Sequence, residues 1–371
     1  MYNPEFIMNV TFQNDKPSEF YIALGKRVSN YFKENKQNRK ATPLYWFKIF
    51  SLLAMFFGLY ALVLMFPESY ATVMGAYLGM GVLIVSILFA IGHDSVHNAV
   101  SSNQKVNYFM GYIWNFFGIS SYFWRLKHNV SHHAFTNIPG SDGDLDQTSL
   151  LRLNPMSPRT PIHRYQHLYA MAIYSLLGPY ILLVRDFKLL KEKKFGNMII
   201  DKHPTKEVVI ILLSKVWFVF MMIVVPVMVT GLSWGLILLA TLAMMFVAGI
   251  FTAIVSFPVH VTYDSDYALP NDDGVVEMDF MTHQILTTVD YSAENKLIHW
   301  FFGGINTHVV HHMFPGVNHI HYYDLTKIVK ETAAEYNIRY VNKSFNTVMR
   351  DHLLFLRELG LKDNPTNLTF A

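Results

Sequence analysis

Residues 71–97 read ATVMGAYLGMGVLIVSILFAIGHDSVH. The first part, Ala71–Ile91, is an unbroken run of apolar and small residues. About 20 such residues cross the roughly 30 Å of a bilayer's hydrocarbon core. The run ends directly in His93-Asp94-Ser95-Val96-His97. A membrane span that delivers two imidazoles one helical turn apart, just past its apolar end, sets the reading of the rest.

Three more stretches are long and apolar enough to span: Leu44–Phe66, Val208–Thr230 and Leu232–Phe257. Short links, Pro67–Tyr70 and the residues around Gly231, join them in pairs, which predicts two helical hairpins. Composition agrees: of 371 residues 52% are hydrophobic and only 15% charged, where soluble domains carry about 25% charge. Net charge is +3, too small to imply nucleic acid. With no cysteine, disulfides, Cys-ligated zinc and iron–sulfur clusters are all excluded. No secretory signal peptide is expected, because the first 43 residues are polar and charged.

Lys and Arg number 7 before the first span, 13 between Gly92 and Glu207, and 8 after Phe257, with none in either short link. The positive-inside rule therefore puts both termini and the long middle segment in the cytoplasm. Lys215, inside the third span, either snorkels to the interface or is functional. Two shorter apolar runs, Tyr108–Phe123 and Leu168–Val184, are read as interfacial helices. If only one of them crossed, the histidine clusters would face opposite sides. The expected fold is thus an all-α integral membrane protein: four transmembrane helices in two hairpins, interfacial helices, and a cytoplasmic helical cap holding the functional site. Residues 1–43 form an N-terminal arm, in which Pro17–Gln37 reads as an amphipathic helix or a solvated segment. Residues 44–323 form the membrane domain and 324–371 a helical tail. Residues 137–161 are turn-rich, and no internal repeat is visible.

Of 17 histidines, eight fall in three clusters: His93/His97, then His128-Asn129-Val130-Ser131-His132-His133, then His308-Val309-Val310-His311-His312. On an α-helix, positions four apart share a face. His93/His97, His128/His132 and His308/His312 are each expected to present two rings to one side, with His133 and His311 turned toward a second point. Eight imidazoles so grouped can hold two metal ions. Ligand type alone leaves zinc, copper, iron and nickel open.

These motifs resemble the membrane fatty acyl desaturase family, whose HxxxH, HxxxHH and HxxHH boxes occur in this order with a two-plus-two span layout. The resemblance covers about residues 44–323. It extends to Gly92-His93-Asp94, His132 through Asn137, Asp142/Asp144, and Asn306 through Phe314-Pro315. It is nearest the front-end or linoleoyl-CoA-desaturase-like branch, although many front-end members have Gln where this chain has His308. The family's further histidine ligand, near the end of the fourth span, matches His260, while an Asn used by related enzymes is Ser256 here. The resemblance implies two iron ions, dioxygen as co-substrate, an acyl-CoA or lipid-linked acyl chain, and an external electron donor. The 43 residues before the first span cannot hold the cytochrome b5 domain fused to many relatives. A separate protein of ferredoxin or cytochrome b5 type is therefore expected to supply electrons.

Metal-bound imidazoles usually donate their other ring nitrogen to a carboxylate or carbonyl. Asp94, Asp142, Asp144 and Asp146 are the nearest carboxylates in sequence, and Asp94 could instead cap a helix. Asn306 falls at a family position. His163, His167, His283, His299, His319 and His321 are expected to support ligands or meet headgroups, and His203 and His352 to lie on the surface. Trp124, Arg125 and Lys127 are candidates for an acyl carrier's phosphate or a lipid headgroup, or plain interface anchors. Thr282–Tyr291, with Gln284, Thr287 and Thr288, resembles the family segment bordering the acyl channel. The expected activity is oxygen-dependent desaturation of an acyl chain. The alternatives are a histidine-box hydroxylase or ketolase acting on lipid, sterol or carotenoid, and, more remotely, a metal- or haem-handling membrane protein.

Overall fold

The computed structural model describes residues 5–6, 10–13, 17–145 and 148–363. It is mostly helical, and four of its helices are long and apolar enough to cross a membrane: Pro43–Met65, Tyr70–Val96, Thr205–Thr230 and Trp234–Ser256. Each start has a local cause. Thr42, Ser69 and Ser233 cap the first, second and fourth helices, their hydroxyls accepting from the backbone N–H of Tyr45, Thr72 and Leu236. Gly231, at φ +70°, closes the third in the left-handed conformation. The second helix is mostly enclosed by the others, while Phe47, Phe50, Leu213, Val216, Met228 and Leu239 leave the rest with exposed apolar faces.

The second helix runs on to Val96, past the expected end at Ile91, and widens to π-helix over Leu88–His93. The box-one histidines are therefore carried on the same rod as the span. Tyr108–Phe123 does not continue as one helix: it divides into Gln104–Gly111, Ile113–Phe116 and Ser121–Trp124, with Gly118 at φ +73° between the last two. The other short run belongs to a bent pair, Pro161–Ser175 and Leu177–Leu189, which turns by 59° at Leu176. This pair lies against the fourth span, where a Cβ on Gly249 would come 2.7 Å from the carbonyl oxygens of Tyr174 and Ser175. Small residues permit that backbone approach.

Outside the apolar helices, Glu19–Glu34 is amphipathic, but its apolar stripe (Phe20, Leu24, Val28, Phe32) packs on Leu325, Val329 and Ala333 of Tyr322–Glu335. Together these helices cover His308–Met313 through Val309, Val310 and Met313. Phe345–Leu361 lies on the bent pair, burying Phe355, Leu356 and Leu359 with Ala170 and Tyr174. Strand pairing is limited to short ladders, such as the antiparallel Lys194–Phe195 with Met198–Ile199 and the parallel Asp290–Tyr291 with Asn342–Lys343.

Lys215 does not snorkel. Its ammonium donates to Asp186 Oδ2 at 2.6 Å and to the carbonyls of Gly118 and Ile181. An unpaired charge at that depth would be costly, so the carboxylate of the bent pair serves as its partner. His352 is not a surface residue either. It is fully buried, with Tyr174 Oη 2.6 Å from Nε2 and the Val261 carbonyl 2.7 Å from Nδ1. His203 is half-buried between Tyr122 Oη and the Leu189 carbonyl.

Candidate metal centre

Nine histidines converge in two adjoining groups. His93, His97, His128, His133 and His311 each bring one nitrogen within 4.8 Å of the others, and so do His132, His260, His308 and His312. The groups abut through the stacked rings of His133 and His312, whose centroids are 4.2 Å apart. All eight box histidines take part, with His260 as the ninth.

The division of box two differs from the α-helical expectation. His128 shares its group with His133, five residues on, while His132 goes to the other. The cause is local: Arg125–His132 is π-helical, and the His133 N–H donates to the His128 carbonyl at 2.9 Å. In a π-turn the i and i+5 positions align. Boxes one and three keep the expected pairs, His93 with His97 and His308 with His312.

The donor set fits metal ions. In the first group, Nε2 of His128 lies 3.0 Å from that of His93 and 3.1 Å from that of His133, and His311 Nε2 is 2.8 Å from His133 Nε2. Nitrogens at right angles on one ion, with bonds of about 2.1 Å, would lie about 3 Å apart. His97 Nε2, His260 Nε2 and His312 Nε2 are buried without a hydrogen-bond partner among the described residues. Such atoms are costly unless something binds them. Burial holds His128, His133, His260, His308, His311 and His312 well below the usual imidazole pKa. They are thus neutral, the state a ligand requires. His132 is the exception: burial pushes it down, but the Asp142 carboxylate outweighs that and raises it.

Several outward-facing nitrogens are held by the protein, which fixes ring orientation. His132 Nδ1 is 2.9 Å from Asp142 Oδ2, and Asp142 also accepts from the Asn137 N–H. His260 Nδ1 faces the Thr287 carbonyl at 3.2 Å, His312 Nδ1 faces Gln284 Oε1 at 2.9 Å, and His311 Nδ1 faces Tyr322 Oη at 3.2 Å. Asn137 Nδ2 donates to the carbonyls of His260 and Asp266, tying box two to the His260 segment. Tyr322 and the clamp role of Asn137 were not legible beforehand, since neither a Tyr nor an Asn distant in sequence signals a ligand partner.

Other candidates fall elsewhere. Asp94 reaches no box histidine. It accepts from Asn318 Nδ2 and pairs with His319 Nδ1 at 2.7 Å, while His319 Nε2 meets the buried Lys48 ammonium at 2.8 Å. Asp144 pairs with Lys127 at 2.9 Å and is within 4.8 Å of the His128 and His132 nitrogens. Asp146 lies outside the described residues. Asn306 Nδ2 donates to the Ser292 carbonyl, in the approach to box three. His283 donates to, or accepts at, no box ring, its Nε2 lying 2.8 Å from the Thr136 carbonyl, and His299 Nε2 faces the His319 carbonyl. His163 caps a short helix through the Thr160 N–H, and His321 Nε2 faces the Lys40 carbonyl.

A narrow cavity of about 100 Å3 reaches the metal groups and is lined by His93, His128, His132, His260 and His308 with Phe89, Phe123, Ile305 and Phe257. Trp124 and Lys127 are on its wall; Arg125 is not, its guanidinium lying over the Tyr108 ring. Gln284, Thr287 and Thr288 are buried but do not line it. Their place is behind the ligands: Gln284 on His312, and the Thr287 backbone on His260.

Comparison with known proteins agrees with this geometry. Residues 67–344 match the fatty acid desaturase family. The sn-1 linoleoyl-lipid 6-desaturase of Synechocystis sp. is 27% identical over 92% of this chain and 95% of its own length. The acyl-lipid (8-3)-desaturase of Physcomitrium patens is 30% identical over 93% of this chain and 72% of its own. The acyl-lipid (8-3)-desaturase of Mortierella alpina is 29% identical over 94% and 79%. Most of the chain, all three boxes included, lies within the matched region, and the chain belongs to the fatty acid desaturase family, whose members are oxidoreductases acting on fatty acyl chains.

Proposed function

We propose that this enzyme is an oxygen-dependent acyl-lipid desaturase with two irons, one held by His93, His97, His128, His133 and His311, the other by His132, His260, His308 and His312. When bound, the irons supply the activation of dioxygen and the oxidising power to take two hydrogens from adjacent unactivated methylenes. The protein's part is placement. Phe89, Phe123 and Ile305 give the cavity an apolar wall that keeps out water, and its narrow bore holds the reacting carbons beside the metal groups. Asp142, Gln284, Tyr322 and the Thr287 carbonyl keep the ligand rings turned inward.

Electrons come from a separate ferredoxin- or cytochrome b5-type protein. The four apolar helices form two membrane hairpins, both termini and the metal centre are cytoplasmic, and the helices Glu19–Glu34, Tyr322–Glu335 and Phe345–Leu361 form the cap. The Lys and Arg distribution supports that orientation.

The carrying observation is the convergence of nine neutral-prone imidazoles into a five and a four at one apolar cavity. Expression in a host with a simple fatty-acid pool, followed by chromatography–mass spectrometry, tests it. A product lighter by two hydrogens is expected; a product heavier by one oxygen identifies a hydroxylase instead. Replacing His97, His132 or His312 by Ala should abolish the product while the protein still inserts.

A further inference from the structure

The metal cavity does not stand alone. It abuts two larger ones, and the shared wall residues show where. Lys127, Asp142 and Arg185 are common to it and a cavity of about 550 Å3. Leu153, Leu177 and Phe257 are common to it and an apolar cavity of about 360 Å3. Tyr180 lines both larger cavities. The three therefore form lobes around one junction.

The lobes differ in chemistry. Five of the 13 residues lining the largest are cationic, namely Lys127, Arg185, Lys188, Lys193 and Lys194, against Asp142 and Glu192. Asp142 is already engaged by His132, so the lobe is positive on balance. Its lysine-bearing wall is fixed in place. Gly196, at φ +56°, turns the Lys194–Phe195 strand into Met198–Ile199, and a Cβ there would overlap the Ser141 carbonyl and come 2.6 Å from Ser131 Oγ. The hairpin is thus seated on the box-two segment. The smaller neighbour is wholly different, walled by Leu150, Leu151, Ile173, Leu176, Leu183 and Val184 among others. Exposed Leu183, Val184 and Phe187 sit on the same helix as Lys188, which places the lobes at the level where acyl chains meet headgroups.

We propose that the substrate is an anionic diacyl phospholipid: its phosphate headgroup occupies the basic lobe, the reacting chain the metal lobe, and the second chain the apolar lobe. A coenzyme A thioester has phosphates but a single chain, and a neutral lipid leaves the basic lobe without a partner. The inference rests on the desaturase reading and adds the carrier to it. Because the basic lobe shares its wall with the metal cavity, the carboxyl end is held near the metals, and the double bond falls toward that end.

The test is equilibrium binding to the full-length protein in detergent, with dioleoylphosphatidylglycerol, its single-chain lyso form, monogalactosyldiacylglycerol and coenzyme A as probes. The diacyl phospholipid should bind roughly tenfold more tightly than the lyso form. The double variant Lys188→Glu/Lys194→Glu changes two exposed side chains and should weaken phosphatidylglycerol binding roughly tenfold with galactolipid binding unchanged; an unaltered thermal midpoint verifies its fold. Equal binding of diacyl and lyso forms, displacement of the phospholipid by coenzyme A, or indifference to the charge reversal would each overturn the inference. Any of those results alongside a desaturated product in the expression host leaves the desaturase reading intact. Absence of that product overturns the reading beneath it.

Discussion

At the residue scale, the His132–Asp142 pair separates a ligand that is merely present from one that is aimed. Asp142 Oδ2 lies 2.9 Å from Nδ1 and also takes the Asn137 N–H, so the carboxylate itself cannot swing away. Asp142→Asn should weaken metal retention in the four-histidine group by about 10–100-fold, read as metal content after dialysis against a graded chelator series. The grouping predicts a second pattern. His128→Ala and His133→Ala should be non-additive in metal loss, because they strip one ion, whereas His128→Ala and His132→Ala should add. Every box histidine was legible in the sequence, since imidazole spacing is a local signal, and His260 was legible through family resemblance. Tyr322, Asn137 and the true role of Gln284 were not: their contacts join segments far apart in the chain, and no local pattern encodes them.

At the scale of elements, the Lys215–Asp186 pair pins the third apolar helix to the bent pair and to the Gly118 turn. Both side chains are buried, so removing one leaves the other without compensation. Lys215→Met should lower stability by about 3 kcal/mol, measured by denaturant unfolding in detergent. Combining it with Asp186→Asn should recover most of the loss. Asp186 also accepts from the Ser120 N–H at the start of the helix leading into box two, so the same variant should loosen the approach to the metal groups. The four long helices were plain from hydropathy. The bend at Leu176 and the broken run after Tyr108 were not, because length and polarity show only that a straight span is unfavourable there. Where such a segment goes is decided by packing, as at Gly249.

At the scale of the whole molecule, topology is testable with little background because the chain has no cysteine. Glu68, in the link between the first two apolar helices, and Lys202, ahead of the third, are both exposed. On intact cells an impermeant maleimide should label Glu68→Cys, whereas Lys202→Cys should react only after the membrane is opened. Labelling of both from outside would refute the proposed orientation. The charge asymmetry carried this expectation without any structure, while the embrace of the metal groups by terminal helices rests on tertiary contacts that no charge count reports.

The wide turn at Arg125–His132 has one more consequence. A single coil feeds both nests of nitrogen: His128 and His133 enter one, and His132, between them in sequence, enters the other. The two ions consequently share a mechanical support. A strain that tightens this coil by one residue would rotate donors out of both nests together, so the pair should be lost or kept as a unit. Shortening the stretch by a single codon would be more damaging than swapping most of its side chains.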